Sequence, residues 1–454
     1  MADFCYFLLT VILKANSLNM RERLLVLESK MKILLIRPNV ANSNSIYSKK
    51  ISSRLNIFPP LTLPQLAGIT PKTHEVKVVY EINTKINFDW DADLVGISCL
   101  TPEVNRGYNI ADEFRRRGKK VIMGGWHASA LPEEAKQHAD SVVIGEAEET
   151  WPKLLRDFER GDLKPFYRNN GPIDINFIPS ANRNVGDGLF FMAAIQASRG
   201  CPMGCEFCSV TSNPEGCVFR TRSIDLVVEE IKKIKNKTLY FYDPSLTVNT
   251  DFTKKLFKEI KGLNKKFVCF GNANILAKDD ELLGLAKDAG CQNWYVGFES
   301  VSQKTIDYLG KKSNKVQEYN KLIEKIHNHG MSVTGSFIFG FDTDTKNVFN
   351  DTIEAVYDLA IDVPEFTILT PYPGTPLFKR LDEEGRILTK DWTKYTETGN
   401  VVFQPKNMSP RELLEGCEEV IHEVFSFSNI IGRTTKNRKF LFRNILSNVL
   451  QHSR

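Results

Sequence analysis

Short runs of Val, Ile and Leu recur along this chain, and most are followed by a segment with the periodicity of an amphipathic helix. Apolar strands that alternate with helices are typical of parallel β-sheets covered by those helices. The alternation occurs in two series, one ending near residue 160 and one beginning near residue 190. Because a chain of 454 residues is too long for one core, the two series predict two α/β domains.

The first series predicts a doubly wound, five-stranded parallel sheet in residues 31–161, with its ligand at the carboxyl ends of the strands. The predicted strands are KILLIR (32–37), EVKVVY (75–80), LVGISC (94–99), KVIMGG (120–125) and SVVI (141–144). Residues 1–30 precede this domain as an extension, and their apolar run CYFLLTVIL is far shorter than the roughly 20 residues that cross a bilayer. Residues 162–189, rich in Asn, Gly and Pro, are predicted to be a linker.

The second series predicts a partial (β/α)6 TIM barrel in residues 190–400, with its active site at the carboxyl ends of the strands. The predicted strands are AAIQAS (193–198), TLYFY (238–242), FVCF (267–270), NWYVGF (293–298), SVTGSFIFG (332–340) and EFTILT (365–370). Residues 401–454 are predicted to form a helical C-terminal region that ends in a basic tail.

The tail has two interpretations. From Arg433 onward it contains six Lys or Arg and no acidic residue, and apolar residues are interleaved in KFLFRNILSNVL (439–450). Such a pattern fits a basic amphipathic helix that touches a membrane surface. The commoner interpretation of such a pattern, and the one favoured here, is a helix that is solvated or docked on the core.

Composition restricts the setting and the partners. The net charge of +5 is small for this length and gives no indication of a nucleic-acid partner. The nine cysteines are scattered through a large chain rather than arranged as a disulfide scaffold. This distribution predicts a reducing, cytoplasmic compartment.

The segment RGCPMGCEFCSV (199–210) places Cys201, Cys205 and Cys208 within eight positions, directly after the first predicted barrel strand. A structural zinc site usually takes four ligands in two separated pairs, and the nearest further thiol is that of Cys217. Three closely spaced thiolates suit an iron–sulfur cubane, because they hold three irons and leave the fourth open for chemistry. The spacing therefore favours a catalytic cluster, with a zinc site as the alternative.

The sequence CPMGCEFC (201–208) resembles the C-x3-C-x-aromatic-C signature of radical S-adenosylmethionine (SAM) enzymes, with Phe207 as the aromatic residue. In that family SAM chelates the open iron of a [4Fe-4S] cluster. An electron from a donor such as ferredoxin or flavodoxin then cleaves SAM to methionine and a 5′-deoxyadenosyl radical. The resemblance implies that Asp243, in YFYD, receives the methionyl amine.

The same resemblance implies that GFES (297–300) and GSFIFGFD (335–342) line the SAM ribose and adenine, which assigns Glu299, Gly335 and Gly340 to the SAM site. These secondary motifs are loose. By themselves, Asp243 and Glu299 can equally be strand-end caps or helix contacts.

The first domain resembles the cobalamin-binding module that precedes the barrel in one subgroup of radical SAM enzymes. Ser98 and Leu100 fit the S-x-L element of that module, and Gly124 and Gly125 fit its Gly-Gly element. Small residues after strands let the backbone approach a buried nucleotide tail. The loop after the first strand lacks the D-x-H-x-x-G motif that supplies an axial histidine, which implies cobalamin without that ligand or a domain that no longer binds it. His127, beside the glycines, is predicted to form hydrogen bonds within its loop rather than to bind cobalt.

The combined resemblance implies a cobalamin-dependent radical SAM methylase that adds a methyl group to an unactivated carbon. TPYPGTPLF (370–378) and VVFQPKNMSP (401–410) are most similar to hopanoid methylases and related class B radical SAM methyltransferases, which favours a lipid or another small molecule as substrate. One alternative is a radical SAM cyclase, oxidase or rearrangement enzyme without methyl transfer. Another is a non-catalytic zinc- or cobalamin-binding sensor.

Overall fold

The computed structural model of the chain describes residues 30–40, 59–186, 190–436 and 441–452. Three predictions lie wholly or partly outside the described residues. They concern the N-terminal extension, the loop after the first strand from residue 41 onward, and the tail residues Arg438, Lys439 and Arg454.

Six parallel strands form the N-terminal sheet, in the order β2-β1-β3-β4-β5-β6. They are β1 Lys32–Arg37, β2 Glu75–Tyr80, β3 Leu94–Ser98, β4 Lys120–Gly124, β5 Ser141–Ile144 and β6 Phe166–Arg168. The order reverses at β1, so the prediction of a doubly wound parallel sheet is confirmed.

The strand β6 corrects the predicted count of five. It pairs with β5 through Val142 and Phe166, and it lies within residues 162–189, where a linker was predicted. Its three residues read FYR, and only Tyr167 is buried. A strand this short has no apolar run or alternation that would reveal it in the sequence.

Five α-helices of the described N-terminal residues cover both faces of this sheet: Thr62–Ile69, Val104–Arg116, Trp126–Ala130, Pro132–His138 and Thr150–Glu159. Consecutive residues of β1 consequently enter different cores. Leu34 and Ile36 pack on one face, and Ile33 and Leu35 pack on the other. A strand that is buried on both sides must be apolar throughout, which explains why KILLIR is recognisable as a strand.

The second sheet also has six parallel strands, but its order, β14-β13-β12-β11-β10-β7, follows the chain without reversal. The strands of this part of the chain are β7 Met192–Ile195, β8 Ser198–Arg199, β9 Arg220–Thr221, β10 Thr238–Phe241, β11 Lys266–Phe270, β12 Cys291–Glu299, β13 Ser332–Phe339 and β14 Val363–Ile368. β8 and β9 form a separate antiparallel pair. The sequential order gives the predicted partial (β/α)6 barrel.

Residues of β12 alternate between two environments. Trp294, Val296 and Phe298 are fully buried in the core beneath the helices. Tyr295 and Gly297, which point the other way, are only half-buried. Helices therefore cover the outer face of this sheet, and its inner face borders the space inside the barrel.

Helices of the barrel domain follow its strands: Ser209–Ser212, Ile224–Lys233, Thr250–Ile260, Ala273–Leu276, Asp280–Ala289, Gln303–Tyr308, Tyr319–Asn328 and Asn347–Asp358. Four more lie beyond β14: Pro376–Glu383, Pro410–Val424, Phe427–Thr434 and Leu441–His452. Short 3-10 turns span Thr101–Glu103, Ile175–Phe177, Pro214–Cys217, Leu246–Val248, Val316–Glu318 and Trp392–Lys394. Across the described ranges, every helix is too short or too polar to span a bilayer.

The C-terminal region begins its main helix with a capping box. The Ser409 hydroxyl accepts from the Glu412 amide at 3.2 Å, and the Glu412 carboxylate accepts from the Ser409 amide at 2.8 Å. We use the name C-terminal region from here on for all described residues after β14, beginning at residue 369. It packs against both domains, since Trp392 and Tyr395 enter a core of the N-terminal domain and Phe403 enters that of the barrel. The C-terminal region therefore joins the two domains rather than standing apart.

Candidate active site

The cysteine loop leaves β8 and returns at β9, so the antiparallel pair fixes its two ends. Gly200 begins the loop with φ +83°, and a Cβ at this position would lie 2.1 Å from the Val218 carbonyl oxygen. Only glycine fits such an approach. The Cys201 amide then donates to the Gly216 carbonyl at 2.8 Å, which sets the direction of the loop.

Cys201, Cys205 and Cys208 are half-buried free thiols. Burial raises the pKa of Cys201, and it raises the pKa of Cys205 to about 11. In the described residues no three His, Cys, Asp or Glu side chains converge closely enough to hold one metal ion. A cubane does not need that convergence, because it takes each thiolate on a different iron. Three partly accessible thiols on one short loop therefore fit a cluster, and they would hold its irons as thiolates after releasing their protons.

Asp243 lies directly under the start of this loop. Its carboxylate is fully buried and accepts from the Ala197 amide at 3.1 Å, from the Ser198 hydroxyl at 2.6 Å and from the Ser198 amide. Burial raises the pKa of Asp243 to about 6, although these hydrogen bonds oppose the change. The contacts are those of an anchor for the loop, and direct contact with SAM stays a prediction.

Glu299 ends β12 in a left-handed conformation, with φ +63°, at an irregularity in the pairing with β13. Its carboxylate forms an ion pair with Lys311, whose ammonium also donates to the Gly297 carbonyl at 2.9 Å. The charges of this pair reach the Cys205 thiol. Such backbone strain is typical of functional positions. Lys311 is a candidate site residue that was not recognisable in the sequence, because it lies in a loop outside every motif.

An ionic chain connects the cysteine loop to the C-terminal region. Glu206, between two of the cysteines, accepts from Arg380 at 2.9 Å, and Arg380 also donates to Asp342 at 2.9 Å. Asp342 accepts from Arg386 at 2.6 Å. Burial opposes ionisation of Asp342, but the two arginines outweigh it and lower its pKa. These ion pairs are not predictable from the sequence, because Glu206 and Arg380 are 174 residues apart in the polypeptide.

The other residues predicted to contact SAM lie around the barrel. The Phe207 ring is 5.9 Å from that of Phe341. A Cβ at Gly335 would lie 3.0 Å from the Phe298 ring, so this glycine faces the helix-covered side of the sheet, where packing accounts for it. Gly340, with φ +108°, ends β13, and a Cβ there would lie 2.8 Å from the Leu413 side chain. Their contacts with SAM remain predictions.

The carboxyl edge of the N-terminal sheet carries the residues predicted to contact cobalamin. Gly125 has φ +94°, and a Cβ there would lie 2.7 Å from the Cys99 carbonyl oxygen and 3.0 Å from the Ser98 hydroxyl. A Cβ at Gly124 would make only an ordinary contact, 3.6 Å from the Val143 carbonyl oxygen. Leu100 is 39% exposed at the same edge.

Two further side chains shape this edge. Trp126, directly after the glycines, is 42% exposed. An edge with exposed Leu100 and Trp126 beside a compact glycine turn fits a large, mostly apolar ligand. Buried Glu103 accepts from the Leu100 amide at 2.9 Å and from Arg37 at 2.9 Å, which orients both.

His127 is fully buried, and its Nε2 lies 3.1 Å from the Glu134 carboxylate. The same carboxylate oxygen accepts from the Tyr108 hydroxyl at 2.8 Å and from the Trp392 indole at 2.9 Å. His127 thus takes part in hydrogen bonding inside its own region, as predicted, and is turned away from solvent.

The carboxyl edges of the two sheets face each other. Arg199, the last residue of β8, forms ion pairs with Glu146, at 3.3 Å, and with Glu148, both of which follow β5. Arg37, at the end of β1, lies close enough to Tyr242, just after β10, for its charge to oppose the burial that raises the tyrosine pKa. A ligand bound at the carboxyl edge of the N-terminal sheet would therefore face the open end of the barrel.

Three family models match parts of the chain. Residues 195–356 match the Radical SAM superfamily, and residues 56–155 match the B12 binding domain. Residues 375–446 match a domain of unknown function, DUF4070.

Curated relatives extend over most of the chain. Bacteriochlorophyllide d C-12(1)-methyltransferase of Chlorobaculum tepidum is 32% identical over 424 residues, which cover 89% of this chain and 90% of the relative. Bacteriochlorophyllide d C-8(2)-methyltransferase of the same organism is 34% identical over 411 residues, with coverages of 85% and 90%. Hopanoid C-2 methylase of Rhodopseudomonas palustris is 24% identical, with coverages of 74% and 66%.

Among solved structures, the cobalamin-dependent SAM radical enzyme OxsB with aqua-cobalamin bound has a TM-score of 0.69 to this chain at 14% identity. The match covers 95% of this chain and 73% of OxsB. At this identity the match supports the arrangement of the two sheets and the C-terminal region as a fold.

Proposed function

This chain belongs to the cobalamin-dependent radical SAM methyltransferases, and from that premise we propose that it replaces a C–H bond by a C–CH3 bond at an unactivated carbon of a ring-bearing small molecule. The observation that carries the proposal is the opposition of the two carboxyl edges, linked by the ion pair of Arg199 with Glu146. A substrate between these edges would face both cofactors at once. That position is what a transfer between them requires.

The family cofactors are a [4Fe-4S] cluster, SAM and cobalamin, which together supply the one-electron chemistry and the methyl group. In the proposal Cys201, Cys205 and Cys208 hold the cluster, with Asp243 anchoring their loop. Leu100 and Trp126 line the cobalamin edge, and Gly125 keeps that edge compact. The reductant is a one-electron protein donor, for which ferredoxin or flavodoxin are the proposed identities.

We propose a planar tetrapyrrole-type ring as the substrate. The two relatives above 30% identity act on bacteriochlorophyllide, as their names state. Aromatic side chains also line the inner face of the barrel, where Phe270 and Tyr295 have ring centroids 4.6 Å apart. Aromatic walls suit flat, apolar rings. A hopanoid-type lipid is the second candidate, supported by the hopanoid methylase relationship.

The last helix supports a further part of the proposal, contact with a membrane surface. It buries Asn444 and Asn448 and exposes Phe442, Leu446 and Val449, which share one side at spacings of four and three residues. The Asn448 amide donates to the Asp362 carbonyl at 2.7 Å, so the polar side is fixed inward. An exposed apolar side, in a segment of the sequence without acidic residues, suits a lipid interface where a membrane-resident substrate would be collected, although buried Arg433 adds no charge to that surface.

Anaerobically reconstituted enzyme, incubated with methyl-labelled SAM, a strong reductant and a magnesium chlorin, tests the proposed reaction. The expected result is labelled carbon in the chlorin product, abolished in the triple variant Cys201→Ala, Cys205→Ala, Cys208→Ala. Cys217→Ala is the matched control, because its thiol donates to the Thr211 carbonyl at 2.7 Å and it should keep full iron content. A converted product without label would identify a cyclase or oxidase, and iron-free protein that binds zinc would identify a sensor.

Flotation with vesicles tests the membrane contact separately. The wild type is expected to float with phosphatidylglycerol-containing vesicles and less with pure phosphatidylcholine. The double variant Phe442→Ser, Leu446→Ser should stay unbound, whereas Phe177→Ser, which alters a phenylalanine 85% exposed in another part of the chain, should float like wild type. Equal flotation of all three proteins would refute the contact.

A further inference from the structure

The inner face of the barrel carries a row of aromatic rings. Tyr240 lies 5.0 Å from Tyr242 and 5.7 Å from Phe270, and Phe270 lies 4.6 Å from Tyr295, measured between ring centroids. These residues come from β10, β11 and β12 or directly after them, at positions that alternate with the buried outer residues. The row forms an apolar wall that continues toward the edge facing the N-terminal sheet.

Two carboxyl groups stand opposite this wall. Glu365 projects from β14 and accepts from the Tyr295 hydroxyl at 2.7 Å, while its outward neighbour Phe366 is buried in the core. Glu397 comes from the C-terminal region and accepts from the Tyr372 hydroxyl at 3.3 Å. The Glu397 backbone carbonyl accepts from the Ile368 amide at 2.8 Å, which holds this segment to the end of β14.

The two carboxyl groups come from neighbouring segments, because Glu397 is held to Ile368, the last residue of the strand that carries Glu365. Burial raises the pKa of Glu397 and the charge of Glu365 raises it further, although the hydrogen bond from Tyr372 opposes the change. The Glu365 charge also reaches Tyr240 across the interior. Glu397 is nevertheless exposed to solvent, so it can be reached by a ligand and is not part of the packed core. A carboxyl pair that is accessible and enclosed, beside an aromatic wall, has the composition of a ligand pocket with a few orienting polar groups.

We infer that Glu365 and Glu397 bind a hydrogen-bond donor on the substrate, a hydroxyl or N–H group attached to its apolar ring system, and thereby select the carbon that is methylated. The inference rests on the proposed function, since it takes the barrel interior as the substrate site. At a pH above its raised pKa, the Glu397 carboxylate accepts hydrogen bonds and donates none, so it favours a hydroxyl over a carbonyl at the same position. The donor could belong to a chlorin or to a hydroxylated hopanoid, which share this chemistry.

Equilibrium binding to the cofactor-loaded protein without reductant tests the inference. The probes are a magnesium chlorin with a hydroxyalkyl side chain and its oxo counterpart, and in a second arm a hydroxylated hopanoid and its deoxy form. The wild type should bind the hydroxyl form about tenfold more tightly in one of the two arms. Glu365→Gln and Glu397→Gln should each reduce that preference several-fold, and the double variant should bring it near one, because glutamine both donates and accepts.

Two further variants separate recognition from damage to the fold. Glu354→Gln, on the exposed side of the helix Asn347–Asp358, should keep the wild-type preference. Tyr295→Phe removes the hydroxyl that competes for Glu365 and should increase the preference for the hydroxyl form of the ligand. The inference would be overturned if the wild type preferred the hydroxyl form in neither arm. It would also be overturned if the double Gln variant kept that preference. The label-transfer assay does not depend on these binding constants. If label is transferred to a chlorin although the enzyme shows no preference for the hydroxyl form, the carboxyl pair is rejected and the proposed function stays intact.

Discussion

The two sheets of this chain have the same number of parallel strands but are covered differently. The N-terminal sheet reverses its order at β1 and has helices on both faces, whereas the barrel sheet keeps chain order and has helices only outside. In the first case no face is free, so a ligand can bind only at the carboxyl edge. In the second, the inner face itself becomes a binding wall. In the proposed function the edge takes cobalamin and the inner face takes the substrate.

The largest effect expected from this contrast concerns two neighbours on β12. Trp294→Ala removes a fully buried indole from the outer core and should lower the free energy of unfolding by about 3–5 kcal/mol. Tyr295→Phe, one residue along and facing inward, should leave that free energy nearly unchanged. Urea denaturation of both variants is the measurement, and equal losses would contradict the assigned faces.

On β1, in contrast to β12, urea denaturation should show that substitutions at two neighbouring positions both lower the free energy of unfolding. Leu34→Ala and Leu35→Ala alter neighbours that enter different cores, so each should cost about 2–5 kcal/mol of unfolding free energy. A loss confined to one of the two would show that one face of the N-terminal sheet is open. Lys77→Ala, half-buried on β2, serves as a control with little expected change.

One carboxylate in each domain, buried Asp344 and half-buried Glu134, should respond to pH in opposite directions. Burial raises the pKa of Asp344 in the barrel to about 6, so the native state holds its proton more tightly than the unfolded chain does. Burial also opposes ionisation of Glu134 in the N-terminal domain, but hydrogen bonds from His127 and Tyr108 outweigh it and lower its pKa. Asp344 therefore costs stability above its native pKa, and Glu134 contributes stability that is lost as pH falls below its unfolded value.

Comparison of wild type with Asp344→Asn between pH 4 and 7 measures how the ionisation of Asp344 changes the free energy of unfolding. The unfolding free energy of the wild type, relative to the variant, should fall by about 2–3 kcal/mol as pH rises through 4 to 6 and then stay constant. Urea midpoints at several pH values supply the data. A difference independent of pH would show that Asp344 titrates normally in the folded protein.

The smallest expected effect is at the edge of the N-terminal sheet. Gly125→Ala places a methyl group 2.7 Å from the Cys99 carbonyl oxygen in a left-handed conformation and should cost about 1–3 kcal/mol. Gly124→Ala meets nothing nearer than 3.6 Å and should be tolerated. Cobalamin affinity, followed by absorbance, should weaken far more in Gly125→Ala than in Gly124→Ala. Similar affinities of the two variants would show that the glycine turn takes no part in cobalamin binding.

The fold was largely predictable because its strands are long and strongly patterned. KILLIR is apolar over residues 33–36 and LVGISC over residues 94–97, as the centre of a strand covered on both sides must be. The strand β6 was not predictable, because three residues with one buried side chain carry no period. The last helix shows a further limit: its pattern indicated amphipathicity but not that the asparagines would face inward.

The candidate site divides along the same line. The triplet Cys201, Cys205 and Cys208 was evident because its members are neighbours in the chain. Lys311 and Glu397 were not, since each reaches the site from a distant loop with no motif around it. The sequence by itself determined the strands, their order along the chain and the cysteine loop, because these depend on local spacing. Only the tertiary structure decided which carboxyl groups meet inside the barrel and that the two sheet edges face each other, because such contacts depend on packing between segments that are far apart in the chain.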